Sequence, residues 1–333
     1  MTIRIGINGF GRVGRAFARR CLDRSDLEVV AINDITDART LAHLLEFDST
    51  YGRMAAKVAH TDDAIVVNGT TIPVLSMRDP ATIDWGAFGA DIVVESTGKF
   101  RGREDAALHF KGGARKVLIS APGKNADATI VIGVNDADYD PRQDDVISCA
   151  SCTTNCVAPM AKVLDDAFGL EQGLMTTVHA YTGDQMLLDG PHKDLRRARS
   201  AAISIVPTST GAARTTGVVI PRLAGRLDGV AVRVPVEDGS LTDLTVIVGR
   251  EVTADEVNDA FQRAADDGLA GILRYSTDPL VSRDIIGDPA SCVFDSGLTQ
   301  AGGRLVKVFG WYDNEWGYTC RLVDLAALVG ASL

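Results

Sequence analysis

The chain begins with a strand-like segment that leads directly into a glycine-rich turn and then a helix. Ile3–Asn8 is mostly apolar, residues 9–14 read GFGRVG, and we predict a helix over residues 15–22. In a dinucleotide-binding βαβ unit, the first glycine makes the tight turn, the second admits the pyrophosphate and the third allows close helix packing. The spacing therefore predicts a Rossmann site in which Gly9, Gly11 and Gly14 place phosphates at a helix N-terminus.

A carboxylate follows the second predicted strand. This strand, Leu27–Asn33, ends at Asp34, about 20 residues after the last glycine, the distance at which an acid binds the adenine-ribose hydroxyls. A carboxylate there also repels a ribose 2′-phosphate, and the neighbours Ile35 and Thr36 carry no positive charge. The sequence therefore predicts NAD, rather than NADP, as the cofactor. The alternative for Asp34 is an ordinary loop acid or helix cap.

Strand-like and helical segments alternate through the first half of the chain. Further strands are predicted at residues 64–67, 91–96, 116–120 and 129–134, and helices at 38–46 and 103–111. This alternation is typical of a parallel sheet in an α/β domain. Because ligands bind at the carboxyl ends of such strands, Ser120 is expected near the cofactor.

The pattern changes from Ser151 onward. The predicted strands at 173–181, 230–236 and 241–248 are long and rich in β-branched residues, which favours an antiparallel sheet with one face on a core. We therefore predict two domains: a Rossmann NAD-binding domain over residues 1–150, and a catalytic α+β domain with a largely antiparallel sheet over residues 151–314.

The bulk composition excludes several classes of protein. A net charge of −10 over 333 residues argues against general binding to nucleic acid or anionic membranes. No apolar run is long enough to cross a bilayer. Since the N-terminus begins a strand directly, we expect no signal peptide and a cytoplasmic location. The six cysteines are expected as reduced thiols, and no residue pattern predicts a metal site.

The segment from Ser151 to Cys156 predicts a reactive thiol. Cys152 stands at the start of a predicted helix, where free N–H groups and the helix dipole favour the thiolate. His179, late in the 173–181 strand, is the best candidate base for it. The alternatives are structural: a buried cysteine that packs as a small apolar side chain, and a core histidine.

Basic residues cluster at residues 193–199, and Arg233 lies in a later strand. The planar guanidinium of arginine suits a phosphate because it makes paired hydrogen bonds. Thr210 and Gly211 add a hydroxyl and a backbone N–H. The alternative is a solvated basic surface.

Four motifs resemble those of phosphorylating glyceraldehyde-3-phosphate dehydrogenases of the bacterial and eukaryotic type. They are INGFGRVGR at 7–15, ASCTTNC at 150–156, PHKDLRRAR at 191–199 and WYDNEWGY at 311–318, and the resemblance extends over essentially the whole chain. It implies NAD-dependent oxidation and phosphorylation of D-glyceraldehyde 3-phosphate to 1,3-bisphosphoglycerate, a step of glycolysis and gluconeogenesis. It also implies a thiohemiacetal and a thioester on Cys152, a homotetramer, and a C-terminal helix at 315–333 that completes the first domain.

The resemblance assigns a role to each further site residue. His179 would be the base. The cofactor contacts it implies, beyond the three glycines, are Arg12, Val13, Asp34, Arg78, Ser120 and Asn314. The substrate phosphate would be held by Thr182, Arg197 and Arg233, and inorganic phosphate by Ser151, Thr153, Thr210 and Gly211.

The chain departs from the family's usual residues at several positions. The family usually has Asn at Cys149, His at Tyr51 and Pro at Glu237. We expect Glu237 and Asp238 to compete for the guanidinium of Arg233 and to alter sensitivity to thiol-reactive inhibitors.

Two other functions remain open from the sequence. Erythrose-4-phosphate dehydrogenase shares the fold and the nucleophile but hydrolyses the thioester. A non-catalytic thiol sensor would use Cys152 and Cys156, which share one helix face.

Overall fold

The computed structural model describes residues 2–333, which form two compact units. The first contains residues 2–130, Ala137–Ala150 and Thr319–Leu333. The second contains Val131–Asp136 and Ser151–Tyr318.

The first unit is an α/β unit built on one large sheet. Its helices are α1 (Arg12–Cys21), α2 (Ala38–Glu46) and α3 (Arg103–Ala106). Its strands are β1 (Ile3–Asn8), β2 (Leu27–Asn33), β3 (Phe47–Asp48), β4 (Gly52–Arg53), β5 (Val58–His60), β6 (Ala64–Val67), β7 (Thr70–Leu75), β8 (Ile92–Glu95), β9 (Lys116–Ile119), β10 (Ala128–Thr129) and β11 (Val146–Ser148). The sheet order is β10-β11-β9-β8-β1-β2-β7-β6-β5, parallel from β10 to β7, while β3 and β4 form a separate pair.

The glycine turn between β1 and α1 has no room for side chains at two positions. Gly9 has a φ of +93°, and a Cβ on Gly9 would lie 2.6 Å from the backbone nitrogen of Thr97. A Cβ on Gly14 would lie 2.3 Å from the carbonyl oxygen of Gly9. Helix α1 begins at Arg12, earlier than the predicted start at residue 15, because the second half of the glycine motif already forms the first helical turn.

Two segments differ from the predicted secondary structure. Of the predicted strand at 129–134, only Thr129 belongs to a strand, β10, which pairs with β11, and Ile130 adds one backbone hydrogen bond to Ser148. The rest is a turn because the side chains of Asn135 and Asp136 accept hydrogen bonds from the N–H groups of Val131 and Gly133, and such contacts compete with strand pairing. The predicted helix at 103–111 is α-helical only over α3 and continues as a 3-10 helix over Ala107–Gly112.

The second unit is built on a second large sheet and has three helices of its own. The helices are α4 (Cys152–Phe168), α5 (Ala212–Val219) and α6 (Ala254–Asp266). The strands are β12 (Leu170–Ala180), β13 (Val206–Ser209), β14 (Leu227–Val234), β15 (Ser240–Val248), β16 (Leu273–Ser276), β17 (Cys292–Asp295), β18 (Gln300–Gly302) and β19 (Leu305–Tyr312). The order is β13-β14-β12-β15-β19-β17-β16, with β18 paired to β19.

The sheet of the second unit is mixed rather than purely antiparallel. Most neighbours are antiparallel, which agrees with the predicted fold class, but β12 pairs with β14 and β16 with β17 in parallel. The connection from β12 to β14 is long enough to cross over and return in the same direction, as a parallel pair requires. This parallel register sets His179 of β12 directly beside Arg233 of β14.

The last helix, α7 (Trp316–Gly330), belongs to the first unit from Thr319 onward. There the carboxylate of Asp324 binds both Arg24 and Arg321. Across residues 2–333, none of the helices combines the length and the apolar character needed to span a membrane.

Candidate active site

Cys152 is the first residue of α4, and the residue before it caps the helix. The hydroxyl of Ser151 accepts a hydrogen bond of 3.0 Å from the N–H of Thr154, the usual contact of an N-cap serine. Cys152 is the one cysteine among residues 2–333 that is not buried. The thiol is therefore held at a helix start and remains open to a reactant.

The imidazole of His179 lies next to this thiol. The Sγ of Cys152 is 3.4 Å from Nε2 of His179, and Nδ1 of the same ring is 2.7 Å from the carbonyl oxygen of Ala180. A carbonyl oxygen only accepts, whereas Arg233, which lies 3.1 Å from the same Nδ1, only donates. The shorter contact with Ala180 favours a proton on Nδ1, which leaves Nε2 as the acceptor. The base therefore faces the thiol with the nitrogen that can take its proton.

Desolvation by the surrounding protein shifts the pKa of both groups toward the neutral form. It raises the pKa of the Cys152 thiol to about 11, against a lowering by the charge of Arg233 and by hydrogen bonds from Thr153. It also lowers the pKa of His179 to about 3, and Arg233 acts in the same direction. Desolvation of the thiol thus opposes the helix dipole from which we predicted a thiolate, while the charge of Arg233 acts in favour of the thiolate.

Arg233 supplies a cationic group beside this pair. One terminal nitrogen donates to the carbonyl oxygen of Ala180 and to the hydroxyl of Thr182, at 3.1 and 2.9 Å. Its Nε is buried and has no hydrogen-bond partner among residues 2–333. A buried, unused guanidinium donor is costly unless a ligand accepts from it, so the site fits an anion.

Asp184 brings Thr182 and Arg197 together. Its carboxylate accepts from the hydroxyl of Thr182 and from the guanidinium of Arg197, while Arg197 also donates to the hydroxyl of Thr208 at 3.0 Å. Burial alone would raise the pKa of Asp184, but Thr182 and the charges of Arg197 and Arg233 hold it below its usual value. The three residues predicted to hold a substrate phosphate are thus linked, Arg233 through Thr182.

The residues predicted to hold inorganic phosphate lie at two helix starts. Gly211 is the N-cap of α5, and the hydroxyl of Thr210 accepts from the N–H of Ala212 at 3.2 Å. Thr153, in the first turn of α4, bonds through its hydroxyl to Tyr312 at 2.9 Å. The hydroxyl of Thr153 is therefore hydrogen-bonded to a buried phenol.

Asn314 is held by Ser240, to which the sequence alone gave no role, and by Asp238, which was expected to compete for Arg233 instead. The hydroxyl of Ser240 donates to Oδ1 of Asn314 at 2.6 Å and accepts from the N–H of Ala180. The carboxylate of Asp238, completely buried, accepts from the N–H of Asn314 at 3.3 Å. Because Oδ1 is already bonded, the amide nitrogen of Asn314 is the end available to a ligand. Single polar residues such as Ser240 carry no sequence signal for this role.

The first unit contains a cavity of about 250 Å³ at the carboxyl ends of its central strands. Gly9, Gly11, Asp34 and Arg78 are among its lining residues. A Cβ on Gly11 would meet no atom of residues 2–333 within 4 Å, so the backbone there is open to a ligand. These features fit a dinucleotide, with its phosphates at the start of α1.

Other predicted cofactor residues lie around the same turn and strand ends. Asp34 accepts from the N–H of Phe10 at 2.7 Å and thereby holds the glycine turn. The guanidinium of Arg12 pairs with Asp48 at 2.8 Å and stacks over the ring of Tyr51. Val13 follows Arg12 in the first turn of α1, and Ser120 follows β9, where its N–H bonds to the carbonyl of Glu95.

Comparison with known proteins identifies the family. Residues 3–103 match the model "Glyceraldehyde 3-phosphate dehydrogenase, NAD binding domain", and residues 151–314 match the model of the C-terminal domain of the same enzyme. The chain belongs to the glyceraldehyde-3-phosphate dehydrogenase family. The NAD-binding match confirms the predicted cofactor and the predicted fold class.

Curated members of the glyceraldehyde-3-phosphate dehydrogenase family match over their full length. A "glyceraldehyde-3-phosphate dehydrogenase" of Streptomyces coelicolor is 62% identical over 336 residues. "Glyceraldehyde-3-phosphate dehydrogenase 2" of Streptomyces avermitilis is 60% identical, and a "glyceraldehyde-3-phosphate dehydrogenase" of Mycobacterium tuberculosis is 58% identical. In all three cases the match covers 100% of both chains.

The residues that depart from the family's usual ones make different contacts. Glu237 pairs with Arg283, so the expectation that it competes for Arg233 is wrong. Asp238 bonds to the backbone N–H groups of Gly239 and Asn314, and its charge acts on the thiol by raising its pKa. Cys149 is buried, and nothing in its surroundings explains why it replaces Asn.

Proposed function

We propose that this protein is an NAD-dependent, phosphorylating glyceraldehyde-3-phosphate dehydrogenase with Cys152 as nucleophile and His179 as base. The observation that carries the proposal is the 3.4 Å approach of Nε2 of His179 to the thiol at the start of α4, in a chain of this family. The unpaired Nε of Arg233 beside this pair supports a substrate that carries a phosphate.

The thiol attacks the aldehyde carbon, and His179 takes the thiol proton. The neutral imidazole can accept this proton because Nε2 is free, and it passes the proton to the former carbonyl oxygen to give a thiohemiacetal. Because the proton leaves as the sulfur attacks, no free thiolate has to form beforehand, despite the raised pKa of the thiol. Arg233, Thr182 and Arg197 hold the substrate phosphate meanwhile.

Oxidation leaves an acyl group on the sulfur. NAD, when bound, accepts the hydride from the carbon. His179 takes the hydroxyl proton as the carbonyl of the thioester forms. Inorganic phosphate at Ser151, Thr153, Thr210 and Gly211 then attacks the thioester carbon, and Cys152 leaves as thiolate beside the protonated His179.

The two units divide this work. The first unit binds NAD through the glycine turn, Arg12, Val13, Asp34, Arg78 and Ser120. The second binds the substrate and inorganic phosphate, and Asn314 binds the nicotinamide carboxamide. The domain of residues 1–150 with the helix at 315–333, and the domain of residues 151–314, are the functional division we infer.

The enzyme works as a homotetramer in the cytoplasm. Support for assembly comes from the loop at 184–199, where Leu187, Leu188 and Leu195 are 76%, 78% and 81% exposed. Large apolar side chains clustered on one exposed loop favour a contact with another chain. Light scattering of the purified protein measures the number of subunits.

The decisive experiment follows reduced-cofactor formation from glyceraldehyde 3-phosphate, with NAD or NADP and with or without inorganic phosphate. We expect rapid turnover with NAD only when phosphate is present, and acyl phosphate as the product. Cys152→Ser is the matched negative control.

Other outcomes assign another function. Turnover that is independent of phosphate and yields a carboxylate, with erythrose 4-phosphate as the better substrate, would identify the hydrolytic enzyme. Reduced protein with no turnover, whose Cys152 reacts with peroxide, would identify a thiol sensor.

A further inference from the structure

A row of buried polar side chains crosses the strand ends beneath the cofactor cavity. Glu95, Asn8 and Asn33 end the neighbouring strands β8, β1 and β2, and the parallel register sets them side by side. Their exposed fractions are only 2%, 2% and 4%. Asn8 and Asn33 line the cavity from below. We call these three residues, with His109 and Trp85 behind them, the strand-end row.

The hydrogen bonds of the row determine which ring nitrogen of His109 carries the proton. The indole N–H of Trp85 can only donate, and it lies 3.0 Å from Nδ1 of His109. Nδ1 is therefore the acceptor, and Nε2 carries the proton that His109 donates to Glu95 at 3.0 Å. The two ring nitrogens of His109 thus have opposite roles: Nδ1 accepts from Trp85 and Nε2 donates to Glu95.

Glu95 is the centre of the row, and its two oxygens accept from four donors. One oxygen accepts from Nε2 of His109 and from the amide of Asn8, and the other from the N–H and the hydroxyl of Thr97. The two oxygens of a carboxylate have enough lone pairs to accept all four of these hydrogen bonds.

The row ends on both walls of the cavity. Thr97 forms one wall. On the other side, the amide of Asn33 donates to Oδ1 of Asn8 and to the carbonyl of Met77, and its oxygen accepts from the N–H of Met77. Arg78, the next residue, also lines the cavity. A continuous chain of side-chain hydrogen bonds therefore joins the loop of Thr97 to the loop of Met77, and this chain passes through Glu95.

We infer that the strand-end row is a positioning device for the ADP-ribose half of the cofactor: Glu95, oriented by His109 and Trp85, sets Thr97 directly and Met77–Arg78 through Asn8 and Asn33. This inference rests on the proposed NAD-dependent function. Preorganised walls bind better because the ligand does not have to order them. None of the five residues of the row is a reacting group. We therefore expect the row to affect the affinity for the cofactor and not the rate of the chemical step.

The test is direct calorimetric binding of NAD and of ADP-ribose to the full-length protein. Glu95→Gln keeps the size but offers one accepting oxygen to four donors. We expect it to weaken both ligands by about tenfold, the effect of about one buried donor left unpaired. The KM for NAD should rise in the same proportion, while kcat and the KM for glyceraldehyde 3-phosphate stay unchanged. Trp85→Phe removes only the hydrogen bond to His109 and should therefore cause a smaller loss of affinity.

Lys116→Met is the matched control within the same unit. Lys116 is 5% exposed on β9 and donates to Pro141, Asp144 and Asp145, away from the row. It should lower the melting temperature and leave NAD affinity unchanged. Unchanged NAD affinity in Glu95→Gln would overturn the inference. A loss of NAD affinity that is proportional to the loss of melting temperature in both variants would overturn it as well.

Two further arms separate the remaining outcomes. If Glu95→Gln does not fold, Asn33→Ala and Trp85→Phe test the two ends of the row, and wild-type affinity in both overturns the inference. Wild-type protein that fails to bind NAD contradicts the proposed function, and this inference with it. Binding by the wild type with no change in the variants contradicts this inference alone.

Discussion

The cofactor cavity of the first unit and the thiol site of the second are built in opposite ways. The phosphate end of the cavity depends on backbone: Gly9 and Gly14 leave no space for a side chain, and we expect N–H groups at the start of α1 to form the phosphate site. The thiol site depends on side chains from α4, β12, β14 and the loop at 181–199, which the sheet register brings together. A backbone site is local in sequence, whereas a side-chain site exists only after long-range pairing.

This difference predicts where substitutions act. In the thiol site each charged group alters the pKa of its neighbours, because burial makes their charges matter. The cavity is lined by the cations Arg78 and Lys99 and by one acid, Asp34, and we expect Asp34 to determine the selectivity against a ribose 2′-phosphate. Substitutions of thiol-site residues should therefore change the chemical step, and substitutions around the cavity should change which cofactor binds and how tightly.

Replacing the nucleophile should have the largest effect. Cys152→Ser should reduce turnover by at least about four orders of magnitude, as loss of a nucleophile does elsewhere. Cys156→Ser, one turn further along α4, should retain most activity because Cys156 is buried and contacts Met160 and Gly310. Steady-state rates with saturating NAD measure both. Equal losses would mean that the two thiols act together.

Removing the base should have the next largest effect. His179→Asn should slow turnover by about two orders of magnitude, the usual contribution of a positioned base, because Nε2 of His179 lies 3.4 Å from the thiol and can take its proton. Rapid-mixing kinetics should show that formation of the thioester is the slowed step. A rate within a few-fold of the wild type would remove His179 from the mechanism.

Asp34→Asn tests the contribution of the cavity. It removes the charge that repels a ribose 2′-phosphate, and like-charge contact costs several kcal/mol. The ratio of kcat/KM for NADP to that for NAD should rise by about tenfold or more. Asp37→Asn is the control, since Asp37 caps α2 and asparagine caps nearly as well. A ratio that does not move would place the selectivity elsewhere.

Replacing either of two charged residues that act in opposite directions on the pKa of Cys152 should have the smallest effects. Asp238 raises the pKa of Cys152 and Arg233 lowers it. Asp238→Asn should therefore increase the thiolate fraction at neutral pH and speed alkylation by iodoacetamide by about two- to threefold. Arg233→Gln should shift the alkylation profile toward higher pH. Shifts of the same sign would show that packing, rather than charge, sets this pKa.

Much of the first unit was predictable because its signals are short and local. The glycine turn, the strand before it and Asp34 lie within one βαβ unit, and the structure places them as the spacing predicts. The turn at residues 131–136 was not predictable from strand propensity, because side chains of Asn135 and Asp136 replace the ladder bonds. The strand-end row was also invisible, since Glu95, His109 and Trp85 meet only through folding.

The sequence by itself determined the glycine turn, the family, the cofactor and the place of Cys152 at a helix start. The motifs carry this information because each is a continuous stretch whose local geometry needs those residues. Only the tertiary structure decided that β12 and β14 run parallel, so that Arg233 lies beside His179. It alone also showed which buried surroundings and which charges act on the thiol, because a pKa depends on burial and on charges that the fold brings together.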